Sequence, residues 1–234
     1  MVKLSVLDYA LIDEGKDAQK ALQDSVTLAK LADRLGFKRI WFTEHHNVPA
    51  FACSSPELLM MHTLAQTNHI RVGSGGVMLP HYRPYKIAEH FRMMAALYPN
   101  RIDLGIGNNP GTTMVKQALD GINPTYDSYD ESISLLRDYL TIKDKPSAHT
   151  LGVQPHIDHF PSVDTAQKYK LNDRDKEMIQ AHQARIIAGT QEQVRAQLDD
   201  FIATFEVDEV LVAPLIPGIE QRCKTLKLLA EIYL

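Results

Sequence analysis

The sequence predicts an α/β fold built on a parallel sheet, either closed into a β/α barrel or open and doubly wound. Three observations carry this expectation. Short apolar runs rich in branched and aromatic residues begin at Arg39, Arg71 and Arg101, at spacings of 32 (71 − 39) and 30 (101 − 71) residues, which is about one strand plus one crossover helix. Stretches with helical apolar period fill the intervals. The run at 39–46, Arg-Ile-Trp-Phe-Thr-Glu-His-His, ends abruptly in an acid and two histidines, and side chains at the C-terminal ends of parallel strands are the ones that converge on a barrel's active-site mouth.

Taken in order, the first strand is expected at residues 3–9 and the first helix at 17–35. Ala21, Leu22, Val26, Ala29, Leu31 and Leu35 supply the helix's apolar positions, and Gly36 is placed to end it. Strands at 39–44, 71–79 and 101–106 follow, and Pro84 suits the first turn of a helix over 84–97. Near the C-terminus, residues 185–189 read as a fifth strand and Thr190-Gln191-Glu192-Gln193 as a capping box opening a helix to about residue 205. A sixth strand at 209–213 and a helix at 219–233 close the chain.

Between Arg101 and Arg185 the rhythm breaks. Those 84 positions (185 − 101) should hold nearly three periods. They hold helical patterns at 129–140 and 171–184 and only weak strand candidates at 150–154 and 157–160. The expectation is therefore one domain over residues 1–234 with six core parallel strands and an abbreviated, irregular segment at about 141–170.

Composition excludes several classes of function. A net charge of −4 gives no basic footprint for nucleic acid or anionic lipid. No apolar run approaches the roughly 20 residues that span a bilayer. The opening Met1-Val2-Lys3-Leu4 begins neither a charged n-region nor a long apolar one, so no export signal is read. Cys53 and Cys223 lie far apart without CxxC spacing, which suits free thiols in a reducing cytoplasm.

The segments WFTEHH (41–46), RVGSGGVMLPHYRPYKIAEH (71–90) and RIDLGIGNNPGT (101–112) resemble the bacterial luciferase-like family of flavin-dependent monooxygenases. So do IIAGTQEQVRAQLDDF (186–201) and VDEVLVAPLIPGIEQRCKTLKLLAEIY (207–233). The resemblance implies a TIM-type barrel, here incomplete, with about six strands in place of eight. It implies a homodimer, packed through helices at about 55–68 and 84–98. It also implies reduced FMN, or in some branches the deazaflavin F420, supplied by a separate reductase and used with oxygen on a small organic substrate.

This chain departs from the family in two respects. The two strand–helix units that carry part of the flavin phosphate site are compressed into about 141–159. Relatives place an Arg just after the fourth strand to pair with the phosphate, whereas this chain has Asn108. A guanidinium forks onto phosphate with charge-assisted bonds and an amide carries no charge, so weakened flavin binding is expected. The nonfluorescent flavoprotein of luminous bacteria, similarly shortened, sets the alternative of a non-catalytic flavin holder. A folded remnant with neither ligand nor activity is the third possibility.

Individual sites follow from the residues and then from the resemblance. Glu44-His45-His46 makes a poor metal site, because adjacent strand residues face opposite ways and HExxH spacing is absent. On the residues alone, the pair fits a bonded strand-end histidine beside a solvated one. The resemblance makes His45 the general base or acid near the flavin and turns His46 away from the mouth. Glycines inside a strand mark a bulge or a ligand's approach to the backbone, and Gly73-Ser74-Gly75-Gly76 matches no phosphate-loop or dinucleotide fingerprint. The resemblance implies a cis peptide at Gly75–Gly76 against the flavin ring, with Glu44, Val77, Gly107 and Asn108 completing the cofactor wall. Six of eight methionines lie between Met60 and Met114, in keeping with core filling or an adaptable apolar pocket. His149, His156 and His159 show no zinc spacing.

Overall fold

The computed structural model describes residues 2–119, 128–140 and 186–234 throughout and scattered positions over 162–179. Five strands form one sheet: β1 (Lys3–Asp8), β2 (Arg39–Phe42), β3 (Arg71–Met78), β4 (Ile102–Gly107) and β5 (Glu209–Val212). Their order is β4-β3-β2-β1-β5 and every pairing is parallel. The helices are α1 (Ala18–Leu35), α2 (Pro56–Leu64), α3 (Pro84–Leu97), α4 (Thr113–Leu119), α5 (Tyr129–Leu140), α6 (Val163–Lys168), α7 (Gln191–Phe205) and α8 (Ile219–Tyr233). A short 3-10 turn, Leu79–His81, links β3 to α3.

Local chemistry sets the helix ends. The Asp17 carboxylate accepts the Lys20 N–H at 2.8 Å, and Gly36 closes α1 with φ of 83°; a left-handed cap of that kind strains any residue with a Cβ. Thr190 and Gln193 form the reciprocal capping box at the start of α7. Pro84 sits in the first turn of α3, where its missing N–H costs nothing.

The register sorts each strand into two faces. Leu4, Val6, Ile40, Phe42 and Val72 join Leu28, Ala29, Leu64, Phe91 and Leu226 in one continuous apolar core between sheet and helices. Burying each large aliphatic or aromatic side chain contributes roughly 1.5–3 kcal/mol. The opposite face carries Ser5, Leu7, Arg39, Trp41, Arg71, Gly73, Asp103 and Glu209, as the strand partners require. On it Arg39 donates to Glu209 and Asp103, Arg71 to Asp103, and the Trp41 indole to Asp103 at 3.1 Å.

Strands β3 and β4 lie unusually close. A Cβ on Gly105 would sit 2.3 Å from the Ser74 carbonyl oxygen, so only glycine fits there. The Ser74 hydroxyl donates to the Gly105 carbonyl at 2.8 Å, and the register shifts between Ser74 and Val77. The Gly75–Gly76 peptide within this stretch is cis.

Two expectations need correction. Residues 186–189 are not a strand; Ile186 and Ile187 are exposed and pair with no described strand. A local apolar run becomes a strand only when a neighbour completes its ladder. The described parallel strands thus number five, not six. Second, β2 stops at Phe42, not at residue 44. The Thr43 N–H still reaches Asp8, but the His45 N–H turns to the Cys53 carbonyl and Asn47 takes a positive φ of 54°. The expected strand candidates at 150–154 and 157–160, and the three histidines among them, lie outside the described residues, as does much of the helix expected at 171–184.

Candidate functional site at the strand ends

Because β2 ends early, Glu44, His45 and His46 belong to a connecting segment, and strand alternation does not decide where they point. Hydrogen bonds decide it. The Glu44 side chain is 1% exposed and serves as a hub. Its Oε1 accepts from the Tyr82 hydroxyl at 2.7 Å and lies 2.7 Å from His46 Nε2. Its Oε2 accepts the Met78 N–H at 3.0 Å. The Tyr82 hydroxyl and the Met78 N–H both donate to it, as suits a carboxylate, which is an acceptor only. Burial and the neighbouring Glu44 charge raise the Tyr82 phenol, which keeps it a donor.

His45 goes the other way. Its ring stacks on Tyr9 at 5.3 Å between centroids and leans on Phe51 at 4.5 Å. Its Nδ1 lies 2.9 Å from the Thr43 hydroxyl. Burial, and then the proximity of His46, push the His45 imidazole down to about 4. An apolar cradle disfavours the charged ring, so His45 is neutral at pH 7. Cys53, whose carbonyl holds the His45 N–H, has its thiol pushed up to about 12 by burial and is chemically quiet.

The expected cofactor residues occupy adjoining strand ends. Met78 pairs with Gly107, and Val77 with Ile106. Through the Met78 N–H, Glu44 is tied to the same edge. Gly75 and Gly76 are half-buried with bare peptide groups. Val77 is 1% exposed and packs within the core, behind the half-buried Gly75 and Gly76. Gly107 is buried and Asn108, the next residue, is exposed. Asn47 reaches across to the Met114 sulfur at 3.6 Å, joining the segments that follow β2 and β4.

Sequence reasoning missed Tyr82, Tyr9 and Phe51. Tyr9 stands directly after β1, so the rule that picked out strand C-terminal ends could have found it. Tyr82 follows β3 by four residues, and no sequence spacing announces its bond to Glu44. Another strand-end acid, Asp8, lies on the helix side; burial raises its carboxyl, while the nearby Ser25 hydroxyl and the charge of Arg222 oppose that rise. Among the described residues, no three or more His, Cys, Asp or Glu side chains gather as a metal site requires.

A parallel α/β sheet with polar groups gathered at its C-terminal strand ends is the arrangement of an enzyme-type binding site. The chain belongs to the luciferase-like monooxygenase family, whose pattern its residues 2–150 match. Among curated relatives, the uncharacterized protein YwcH of Bacillus subtilis (strain 168) is 48% identical over 167 residues, 70% of this chain and 50% of that protein. The N-acetyl-S-alkylcysteine monooxygenase of the same organism is 40% identical over 170 residues, again 70% of this chain and 50% of that protein. The crystal structure of apo-MsnO8 superimposes with a TM-score of 0.77 at 26% identity, covering 100% of this chain and 98% of that one. The chain spans about half the length of the curated relatives it matches. No helix among the described residues is long and apolar enough to cross a membrane.

Proposed function

We propose that this chain is a flavin-dependent oxidoreductase of the monooxygenase type, using reduced FMN and oxygen on a small organic substrate, and built on an incomplete TIM-type barrel. The carrying observation is the Glu44 hub, which ties the end of β3, Tyr82 and His46 together by hydrogen bonds in a member of this family. The residues present fit the ring end of a flavin. Gly75 and Gly76 offer bare peptide groups, and the Gly107 backbone lies beside them. Glu44, whose oxygens are already engaged, would support that wall through Met78, and Val77, buried in the core, would back it. The phosphate end is poorer, because Asn108 brings an exposed amide and no charge. F420 remains a cofactor to test alongside FMN.

Reduced flavin supplies the electrons that activate oxygen; the protein supplies placement and water exclusion. His45, the proposed catalytic group, works as a neutral imidazole that gives or accepts a hydrogen bond at the reacting atoms. Its aromatic neighbours Tyr9 and Phe51 would shape an apolar substrate space. We place the protein in the cytoplasm on its free Cys53 and Cys223, with a separate flavin reductase as its electron source. A homodimer through α2 and α3 is supported by the exposed Leu58, Tyr85, Met93 and Leu97, an apolar patch of the sort that marks an association surface.

A second reading, a non-catalytic flavin-binding protein, is favoured by Asn108, which is exposed and uncharged at the phosphate end. Oxygen uptake decides between the two. The purified protein is given reduced FMN or reduced F420 with candidate thioethers, N-acetyl-S-alkylcysteines first. Uptake above free autoxidation, with an oxygenated product, supports the enzyme. A flavin titration that saturates without such uptake supports the holder, and no spectral change with either cofactor sinks both.

A further inference from the structure

We infer that Glu44 and His46 form a carboxylate–imidazole dyad that carries protons between the mouth and solvent, with Tyr82 completing its hydrogen bonding. The catalytic use of the dyad rests on the monooxygenase reading above; its geometry does not. His46 Nε2 lies 2.7 Å from Glu44 Oε1 and 3.5 Å from the Tyr82 hydroxyl. Glu44 can only accept, so Nε2 carries the hydrogen and Nδ1 carries the lone pair. Among the described residues Nδ1 has no hydrogen-bond partner, and the His46 side chain is 16% exposed against 1% for Glu44. The ring therefore links a buried anion to the solvent edge of the site. His81 stands edge-on to it at 6.3 Å.

The two adjacent histidines are thereby given different work. His45 rests between Tyr9 and Phe51, and among the described residues no carboxylate bonds its ring, so a positive charge there would be unpaired. His46 touches a carboxylate through one nitrogen, so when Nδ1 takes a proton the resulting imidazolium is paired at once. The transfer balances simply. Nδ1 gains the proton that leaves the reacting group, the Nε2–H bond to Glu44 persists throughout, and the Nδ1 proton then passes to water. Glu44 positions the ring and selects its tautomer, and it does not itself take the proton, which is the division of labour known for carboxylate–histidine pairs in general.

The test has two arms on the full chain. First, long-range 1H–15N spectra of the cofactor-free protein assign each histidine tautomer. His46 is expected as Nε2–H in the unmodified protein. In Glu44→Gln the new amide can donate to Nε2, so His46 is expected to switch to Nδ1–H. No switch in a folded variant, or an Nδ1–H tautomer at the outset, overturns the dyad whatever the flavin does. Second, turnover is followed by oxygen uptake in His46→Ala, with and without added imidazole. A loss of at least tenfold, recovered severalfold by imidazole, is expected. His45→Ala should lose turnover without recovery. A full-speed His46→Ala, or a loss that imidazole does not touch, overturns the relay. If the tautomer switches as expected but the unmodified protein turns nothing over, the monooxygenase reading and the relay's catalytic use both fail, while the dyad stands.

Discussion

Arg39 on β2 donates from Nε to Glu209 on β5 at 2.6 Å, although β1 lies between the two strands. The same guanidinium donates from NH1 to Asp103 on β4 at 2.7 Å. In a flat sheet, β4 and β5 would be about 19 Å apart, four spacings of roughly 4.8 Å. One guanidinium nevertheless meets carboxylates from both edge strands on the polar face of the sheet. Asp103 also takes Arg71 and Trp41, and Glu209 also takes the Ser5 hydroxyl.

Arg39→Ala is therefore expected to cost about 3 kcal/mol, because it leaves Glu209 with the Ser5 hydroxyl and, among the described residues, no cation, and weakens Asp103 in a half-buried setting. Glu209→Ala should cost about 1.5 kcal/mol, since Arg39 keeps Asp103. The double variant should lose little more than Arg39→Ala alone. Urea unfolding of the three variants checks this, and equal losses for the two single changes would contradict it.

The depressed imidazole of His45 has a consequence for acid stability. Its folded value of about 4 lies below the ordinary 6.5. Between those limits the unfolded chain binds more protons, so stability rises with pH there and is lost as pH falls from about 6.5 toward 4. The loss should reach on the order of 2–3 kcal/mol. His45→Phe, which keeps an aromatic ring against Tyr9 and Phe51, should flatten that part of the stability–pH curve. An unchanged curve in the variant would show that His45 is not the titrating group.

Asn108, proposed to stand where the flavin phosphate would lie, is expected to limit cofactor affinity. One charge-assisted, bidentate phosphate contact is worth about 1.5–3 kcal/mol, or roughly 10- to 150-fold in Kd. FMN is expected to bind at micromolar levels or weaker, and the protein to purify largely colourless. Asn108→Arg should tighten FMN by about that factor and leave riboflavin, which lacks the phosphate, unchanged. Fluorescence titrations with both ligands measure it, and a riboflavin gain equal to that for FMN would sink the phosphate explanation.

The exposed apolar residues of α2 and α3 give a prediction about assembly. Leu58 is 70% exposed, Met93 60% and Leu97 57%. Met93→Glu combined with Leu97→Glu should leave the fold intact and turn a dimer into a monomer in sedimentation experiments. A folded, monomeric parent at micromolar concentration removes the dimer altogether.

Local signals in the sequence translated well into structure, and non-local ones did not. Asp17, Gly36, Pro84 and the Thr190–Gln193 box act within a turn of their own position, so the ends of α1, α3 and α7 were legible. Residues 186–189 looked like a strand by the same local criteria, but pairing depends on a neighbour far away in the chain. The arginines at the strand starts were visible as a rhythm. Their separate uses were not: Arg39 and Arg71 take acids on the polar face of the sheet, while Arg101, just before β4, binds carbonyls of Thr67 and Ile70. At the site, position along a strand found Glu44 and His45. The bond between Glu44 and Tyr82 spans 38 residues and leaves no trace in spacing.

The Glu44 carboxylate has an evolutionary consequence. It holds a main-chain N–H of β3, a phenol beyond that strand and an imidazole two residues along. Replacing it leaves buried donors without acceptors, each at a cost of about 1–3 kcal/mol. Purifying selection for a folded chain therefore acts on this glutamate whether or not turnover is under selection. A lineage that had abandoned oxygenation and kept only flavin storage would drift freely at His46 and stay fixed at Glu44. Under the proposed relay, the histidine would record the history of the activity, while the acid would record that of the fold as well.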